Sequence, residues 1–285
     1  MIRSNYLKIF PLYLALMQMV KQKIITVQNH TVKSKFLRRE VSVDFYVPEI
    51  VAGGEKPVLL LINDGQDMEK LGLAEMLTGL LERREIRPLL CVGIHCGDDR
   101  RNEYGTAATK DYKGRGAKAG LYTRFILEEL FPFIKIKSGV SVFRENAFAG
   151  FSLGGLSALD IVWNHPELFV RTGVFSGSLW WRKKGLDEGY VEETDRIMHA
   201  QIRNGRYYPG LKFFFETGTM DETEDRNQNG IIDSIDDTLG LISELEKKGY
   251  NRSTDIRYLE LPDGKHDVAT WARAMPDFLK WGWGV

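Results

Sequence analysis

From Ile24 onward the chain alternates short apolar, β-branched runs with longer stretches in which apolar residues recur at helical spacing. That rhythm predicts a largely parallel sheet covered by helices on both faces. Ile24 to Val32 and Val41 to Val47 alternate apolar and polar positions on either side of a basic turn, which predicts an antiparallel amino-terminal edge pair. The central strands are expected at Val58 to Ile62, Leu89 to Ile94, Ala147 to Gly150, Val170 to Phe175, Leu211 to Phe215 and Ile256 to Leu261. Most are apolar enough to be buried on both faces. Helical periodicity covers Glu69 to Glu82, Gly120 to Phe131, Leu153 to Asn164, Val191 to Arg203, Thr238 to Lys248 and Val268 to Lys280. Gly97 to Lys118 reads as a long polar loop after a central strand, the place where α/β proteins put their sites.

No repeat or low-complexity linker interrupts this series, so residues 24–285 read as one domain and residues 1–23 as an extension. In the extension, Arg3 and Lys8 precede a mostly apolar stretch from Ile9 to Val20 that is too short to span a bilayer. It reads as a packed or amphipathic helix. A secretory or periplasmic signal is the alternative, although no small-x-small cleavage site follows Ala15. The 39 basic and 39 acidic residues cancel, which leaves no surplus charge to hold nucleic acid or an anionic membrane. Cys91 and Cys96 sit too far apart along an extended run for a disulfide and read as free thiols, which suits a reducing cytoplasmic compartment.

Gly150-Phe151-Ser152-Leu153-Gly154 fits G-x-S-x-G, the sharp strand-to-helix turn that exposes a serine hydroxyl. Ala147-Phe148-Ala149 supplies the strand end and Gly155-Leu156-Ser157-Ala158 opens the helix. The plainer reading is Ser152 as a helix N-cap. A serine becomes a useful nucleophile only when a base takes its proton and a third group orients that base. In α/β-hydrolases the chain order is serine, then acid, then histidine. Asp221 follows the run Phe213-Phe214-Phe215-Glu216, with Glu224 as the second candidate, and His266 is the only histidine beyond them. His30, His95, His165 and His199 precede the acid and read as surface or packed histidines. A solvated loop residue is the competing account of His266.

These motifs are carried by a chain that resembles the "putative esterase" family, related to enterochelin, feruloyl and acetyl-xylan esterases, S-formylglutathione hydrolase and the mycolyltransferases. The resemblance runs from Ile24 to about Trp281. Its further carriers are Leu61-Ile62-Asn63-Asp64-Gly65-Gln66, Arg101-Asn102-Glu103-Tyr104, Phe125-Ile126-Leu127-Glu128-Glu129-Leu130-Phe131-Pro132, Phe175-Ser176-Gly177-Ser178 and His266 with Trp271 following. It implies an α/β-hydrolase fold and a serine esterase that cleaves a small-molecule ester through an acyl-enzyme, without a catalytic cofactor. Acyl transfer on the same fold, or a non-catalytic calcium-dependent binding protein, are the alternatives. The developing oxyanion needs backbone donors. One should be the Leu153 N–H, and the resemblance points to Gln66 for the second. Trp180 and Trp181 either wall an acyl or aromatic pocket or pack the cap of the next helix. Arg100, Arg101 and Arg115 read as solvated loop charges ahead of an anion-greeting role.

The segment Asp225-Arg226-Asn227-Gln228-Asn229-Gly230-Ile231-Ile232-Asp233-Ser234-Ile235-Asp236 fits a calcium loop in all positions but the last. Asp225, Asn227 and Asn229 take positions one, three and five, Gly230 the turn, the Ile231 carbonyl position seven, Asp233 nine and Asp236 twelve. Asp236 replaces the usual Glu. The expectation is one structural calcium on an insertion at 225–236, set against a metal-free acidic turn.

Overall fold

The computed structural model describes residues 24–49 and 56–285, so the apolar stretch Ile9 to Val20 lies outside the described residues. Eight strands, β1 (Ile25–Ser34), β2 (Arg39–Pro48), β3 (Val58–Asn63), β4 (Leu89–Ile94), β5 (Asn146–Phe151), β6 (Arg171–Phe175), β7 (Lys212–Met220) and β8 (Ile256–Lys265), form one sheet. Its order is β1-β2-β4-β3-β5-β6-β7-β8. β1 and β2 pair antiparallel to one another, β2 pairs antiparallel to β4, and every later pairing is parallel. The sheet and helices match the predicted α/β-hydrolase architecture. Among the described residues no helix is long and apolar enough to cross a membrane.

The continuous apolar runs of the central strands put alternate side chains into two layers. Leu59 and Leu61 of β3 join Val92, Phe148, Val174, Phe213 and Phe215 under the helices on one face. Leu60 and Ile62 join Cys91, Ala149, Phe175 and Phe214 under helices Leu73–Glu82 and Val268–Trp283 on the other. Cys91 is buried and Cys96 half-buried, and both are free thiols.

Four helices differ from the periodic reading, each for a local reason. The stretch at Glu69 to Glu82 breaks at Gly72, which takes φ 71° and ends Met68–Leu71 before Leu73–Glu82 begins. The stretch from Gly120 runs longer, as Ala119–Arg124, a π-helical segment Phe125–Leu130, and Phe131–Ser138. Pro132, with no N–H to donate to residue 128, sits at the end of that π segment. Arg196, extended at ψ 109°, divides Glu192–Asp195 from Ile197–Asn204. The helix predicted from Thr238 starts at Asp233, so its first turn takes in the end of the polar loop.

The carboxyl ends of β5, β7 and β8 deliver Ser152, Asp221 and His266 to one edge of the sheet. At the β5 end a Cβ on Gly150 would lie 2.4 Å from the Gly154 carbonyl oxygen. At the β7 and β8 ends a Cβ on Gly218 would lie 2.3 Å from the Gly264 carbonyl oxygen. Gly150→Ala is expected to lower stability by about 1–3 kcal/mol through overpacking against backbone that cannot yield. Urea unfolding monitored by tryptophan fluorescence checks this.

Candidate active site

Ser152 sits at φ 53° and ψ −122° between β5 and helix Leu153–Asn164. A non-glycine residue at positive φ is strained and persists only when its surroundings hold it. Here its N–H donates to the Phe175 carbonyl at 2.8 Å, and its carbonyl accepts from Ser178 at 3.1 Å, Gly155 at 3.1 Å and Leu156 at 3.2 Å. The side chain makes no capping hydrogen bond to the helix, so the N-cap reading does not hold. Its Oγ is half-buried and shares a hydrogen bond with Ser178 Oγ at 3.3 Å.

His266 stands exposed in the turn after β8, its ring edge-on to Trp271 at 5.4 Å. The Trp271 indole N–H in turn donates to Ser176 Oγ at 2.9 Å, so the wall behind the histidine is fixed to the loop after β6. Desolvation draws the imidazole below its usual 6.5, and the charge of Asp221 works against it. Asp221 is half-buried, and both its carboxylate oxygens are shut from solvent with no hydrogen bond among the described residues. Burial raises its pKa. Glu224, the second candidate, is exposed and turned to its own loop, where its Oε2 accepts the Thr223 N–H at 3.1 Å. The charge of Asp221 thus acts on His266, whereas Glu224 faces its own loop.

A further carboxyl escaped the sequence reading. Glu216 is 1% exposed, its two oxygens have no hydrogen bond among the described residues, and burial followed by the charge of Asp221 pushes its pKa to about 8. It lies within an apolar strand run, where periodicity gives no hint of a charged neighbour.

Opposite the serine, Asp64 opens the turn after β3 at φ 61°, and a 3₁₀ turn Gly65–Asp67 follows. A Cβ on Gly65 would lie 2.5 Å from the Gly93 backbone, so only glycine lets this turn lie on β4. Among the described residues neither the Gln66 nor the Leu153 N–H is spent on a backbone hydrogen bond. Asn63 donates to the Gly154 carbonyl at 2.8 Å and accepts from Tyr122 at 2.5 Å, which ties this turn to the helix that follows Ser152. Arg100, expected as a solvated charge, instead forms a fork on Asp64 at 2.7 Å through both Nε and Nη2.

Trp181 is fully buried and presses on Gly105 and Gly116, where added Cβ atoms would lie 2.8 and 3.0 Å from its ring. It therefore packs the core and does not face a pocket. Trp180 is half-buried, with the Arg115 guanidinium 4.9 Å over its ring. Arg115 itself is held by Asp111 at 2.6 Å. The other histidines are structural: His199 is buried with Nε2 2.8 Å from the Asp237 carbonyl, His95 pairs with Asp44 at 2.6 Å, His165 contacts Glu167, and His30 packs on Phe45.

In the loop from Asp225 the short side chains turn inward. Asp225 accepts the N–H groups of Asn229 at 3.1 Å and Gly230 at 2.9 Å, Asn227 Oδ1 accepts Asn229 N–H at 3.1 Å, and Asn229 Oδ1 accepts Ile231 N–H at 2.8 Å. Asp236 receives the amides of Asn227 at 3.1 Å and Asn229 at 3.4 Å. Asp233 is drawn aside by Arg226, whose backbone N–H reaches it at 2.9 Å. Among the described residues no three His, Cys, Asp or Glu side chains gather as a metal cluster. The oxygens that converge here come from two asparagines as well as carboxylates.

A family model described as "Putative esterase" matches residues 34–281. The uncharacterized protein YjcH of Bacillus subtilis (strain 168) is 26% identical over 262 residues, covering 90% of this chain and 96% of that one. The iron(III) enterobactin esterase of Escherichia coli (strain K12) is 26% identical over 191 residues, covering 65% of this chain and 43% of the enzyme. The crystal structure of enterochelin esterase from Shigella flexneri superposes with a TM-score of 0.68 at 21% identity, over 89% of this chain and 57% of that one. The chain therefore spans less than half of the first enzyme and just over half of the second.

The His266 ring is expected to titrate below 6.5. Removing the Asp221 charge should lower its midpoint further, since that carboxylate is what favours the imidazolium. NMR titration of the ring protons in wild type and Asp221→Asn checks both.

Proposed function

Since this chain belongs to the family described as "Putative esterase" and is a carboxylic ester hydrolase, we propose that it works as a serine esterase with Ser152, His266 and Asp221 as its triad. Ser152 Oγ attacks the ester carbonyl carbon while His266 takes its proton, and Asp221 holds the imidazole in the right tautomer. The Leu153 and Gln66 N–H groups receive the oxyanion. His266 then gives its proton to the departing alkoxide, and water, activated by the same imidazole, releases the acid from the acyl-enzyme. The observation that carries this reading is the position of Ser152 at φ 53° on the strand-to-helix turn, with the solvent-shielded carboxylate of Asp221 acting by its charge on His266. In the working state the serine hydroxyl would give up its Ser178 partner for the imidazole.

The substrate is a small-molecule carboxylic ester. The named relatives act on enterobactin or enterochelin, so a cyclic trilactone belongs in the test panel with feruloyl and acetyl esters. Ser152→Ala and His266→Ala should each lower kcat/KM for p-nitrophenyl acetate by about 10³-fold or more, with little change in melting temperature. A Ser152→Ala protein with near-wild-type turnover would refute the mechanism, and a wild type with no turnover on any ester would favour a binding protein.

The loop at 225–236 is proposed to hold one structural calcium. Its donors are all oxygen, as a hard cation prefers: Asp225, Asn227, Asn229 and Asp236 already share one hydrogen-bonded cluster, with the Ile231 carbonyl next in the turn. Asp233 would be reached through water, as position nine often is. The ion's contribution is to order the loop that begins four residues after Asp221. Removal of calcium by chelator should lower the melting temperature, because an ion bound to the native state stabilises it by mass action. Asp225→Ala with Asp233→Ala should abolish that response. Isothermal titration without calcium binding at millimolar concentration would leave the loop as an acidic turn.

A further inference from the structure

The Gln66 turn borders a cavity of about 460 Å³ that Ser152, Asp221 and His266 do not line. Its floor follows from strand register. Asn29 of β1 pairs with Asp44 of β2, and Val27 with Tyr46, so these side chains stand on one face of the sheet. Glu69 of helix Met68–Leu71 and Glu75 of helix Leu73–Glu82 line the cavity with them, as does His95, the residue after β4. Asp44 is already committed: Asn29 donates to its Oδ1 at 2.7 Å, and His95 Nε2 lies 2.6 Å from its Oδ2. Glu69 and Glu75 are not. Among the described residues neither makes a side-chain hydrogen bond or ion pair, and the neighbouring Lys70 turns to Asp67 at 3.8 Å.

Tyr46 gives the second observation. It is 4% exposed, yet among the described residues its hydroxyl has no hydrogen-bond partner. A hydroxyl left so is costly, and a group entering the cavity would relieve it. Burial raises the pKa of this hydroxyl, and the charges of Asp44, Glu69 and Glu75 raise it further, so three carboxylates converge on one point. No lysine or arginine lines the cavity. A chain of zero net charge therefore holds here a concave surface of one sign.

We propose that this cavity is a subsite for an organic ammonium group, and that the ester hydrolysed by this chain carries one. The proposal rests on the serine-esterase reading, because Gln66 is common to the cavity and the oxyanion pocket. An ammonium has three protons to give. Glu69 and Glu75 accept two, and the Tyr46 oxygen accepts the third. Val27, Met68 and Ala74 offer apolar surface for the methylenes that lead to it. Such a group is held alike in ground and transition states, so its effect falls on KM.

The test scans chain length in two ester series, 4-nitrophenyl ω-aminoalkanoates and the acetates of ω-amino alcohols, each beside its neutral N-acetyl counterpart. In one series kcat/KM should exceed that of the neutral ester about tenfold, through KM, which is the scale of two solvent-accessible ion pairs. Glu69→Gln with Glu75→Gln, both at exposed positions, should bring the ratio within about twofold of unity and leave turnover of p-nitrophenyl acetate unchanged. Tyr46→Phe should lower the ratio by a smaller factor. Equal rates on every pair of esters, or a preference that survives the double variant, overturns the proposal. Hexylammonium chloride titrated calorimetrically into Ser152→Ala reads the subsite without turnover, and its binding should vanish when Glu69→Gln and Glu75→Gln are added. Magnesium binding that depends on these two glutamates, with none of hexylammonium at millimolar concentration, would make the cavity an inorganic cation site and overturn the proposal. If Ser152→Ala stays active the esterase mechanism fails, and the calorimetry still decides the subsite. An inactive Ser152→Ala that binds no hexylammonium sinks the subsite alone.

Discussion

Between Gly150 and Gly154 there is no room for one more carbon atom, and the geometry of the site follows from that contact. Strand β5 and helix Leu153–Asn164 approach until backbone meets backbone, which forces the single residue at their apex into positive φ. The strain at Ser152 is offset by four hydrogen bonds of its own backbone, one to the last residue of β6 and one from the loop after it. The hydroxyl is thereby presented on a rigid point, with the first unpaired helical N–H beside it. The turns after β3, β7 and β8 have only to arrive at that point for an ester hydrolase to be assembled.

How they arrive is a matter of buried polar pairing. Asn63 and Tyr122, Asp64 and Arg100, and Arg39 and Glu103 hold the β3 turn and the polar loop against the elbow, and all but the arginines are essentially closed to water. Such pairs add little net stability, because desolvation consumes most of their attraction, but a half-made pair is costly. They therefore specify one arrangement of the site and penalise neighbouring ones. On the acid side the logic reverses. Glu216 is buried and Asp221 half-buried, among the described residues no ion pair neutralises either, and two such carboxyls near each other share their charge reluctantly.

The strands, their antiparallel edge and the elbow were legible because each depends on local pattern: continuous apolar runs, alternation in β1 and β2, and glycines at fixed spacing around Ser152. Helix Leu153–Asn164 emerged with the limits that periodicity gave it. The break at Gly72 and the π-helical segment before Pro132 were missed because apolar periodicity continues through both. Arg100 was misread and Glu216 missed for a different reason. Their roles depend on partners 36 residues away in the case of Arg100 and Asp64, and linear pattern does not say which loop charge will be buried. Loop arginines are usually solvated, and this one departs from that rule because a glycine at 154 leaves space for the carboxylate it holds.

β8 is the outermost strand on its side of the sheet, and its free edge is an open template for a second chain. Pro262 has no N–H to offer there, Arg257 and Glu260 carry exposed charge, and Asp263 turns the backbone at φ 58° before the strand ends. His266 hangs one residue beyond that end. The bend at Asp263 that interrupts this edge lies three residues before His266, so the stretch that guards the edge also leads into the histidine. Protection of the edge and the approach to the site thus share one short stretch of backbone.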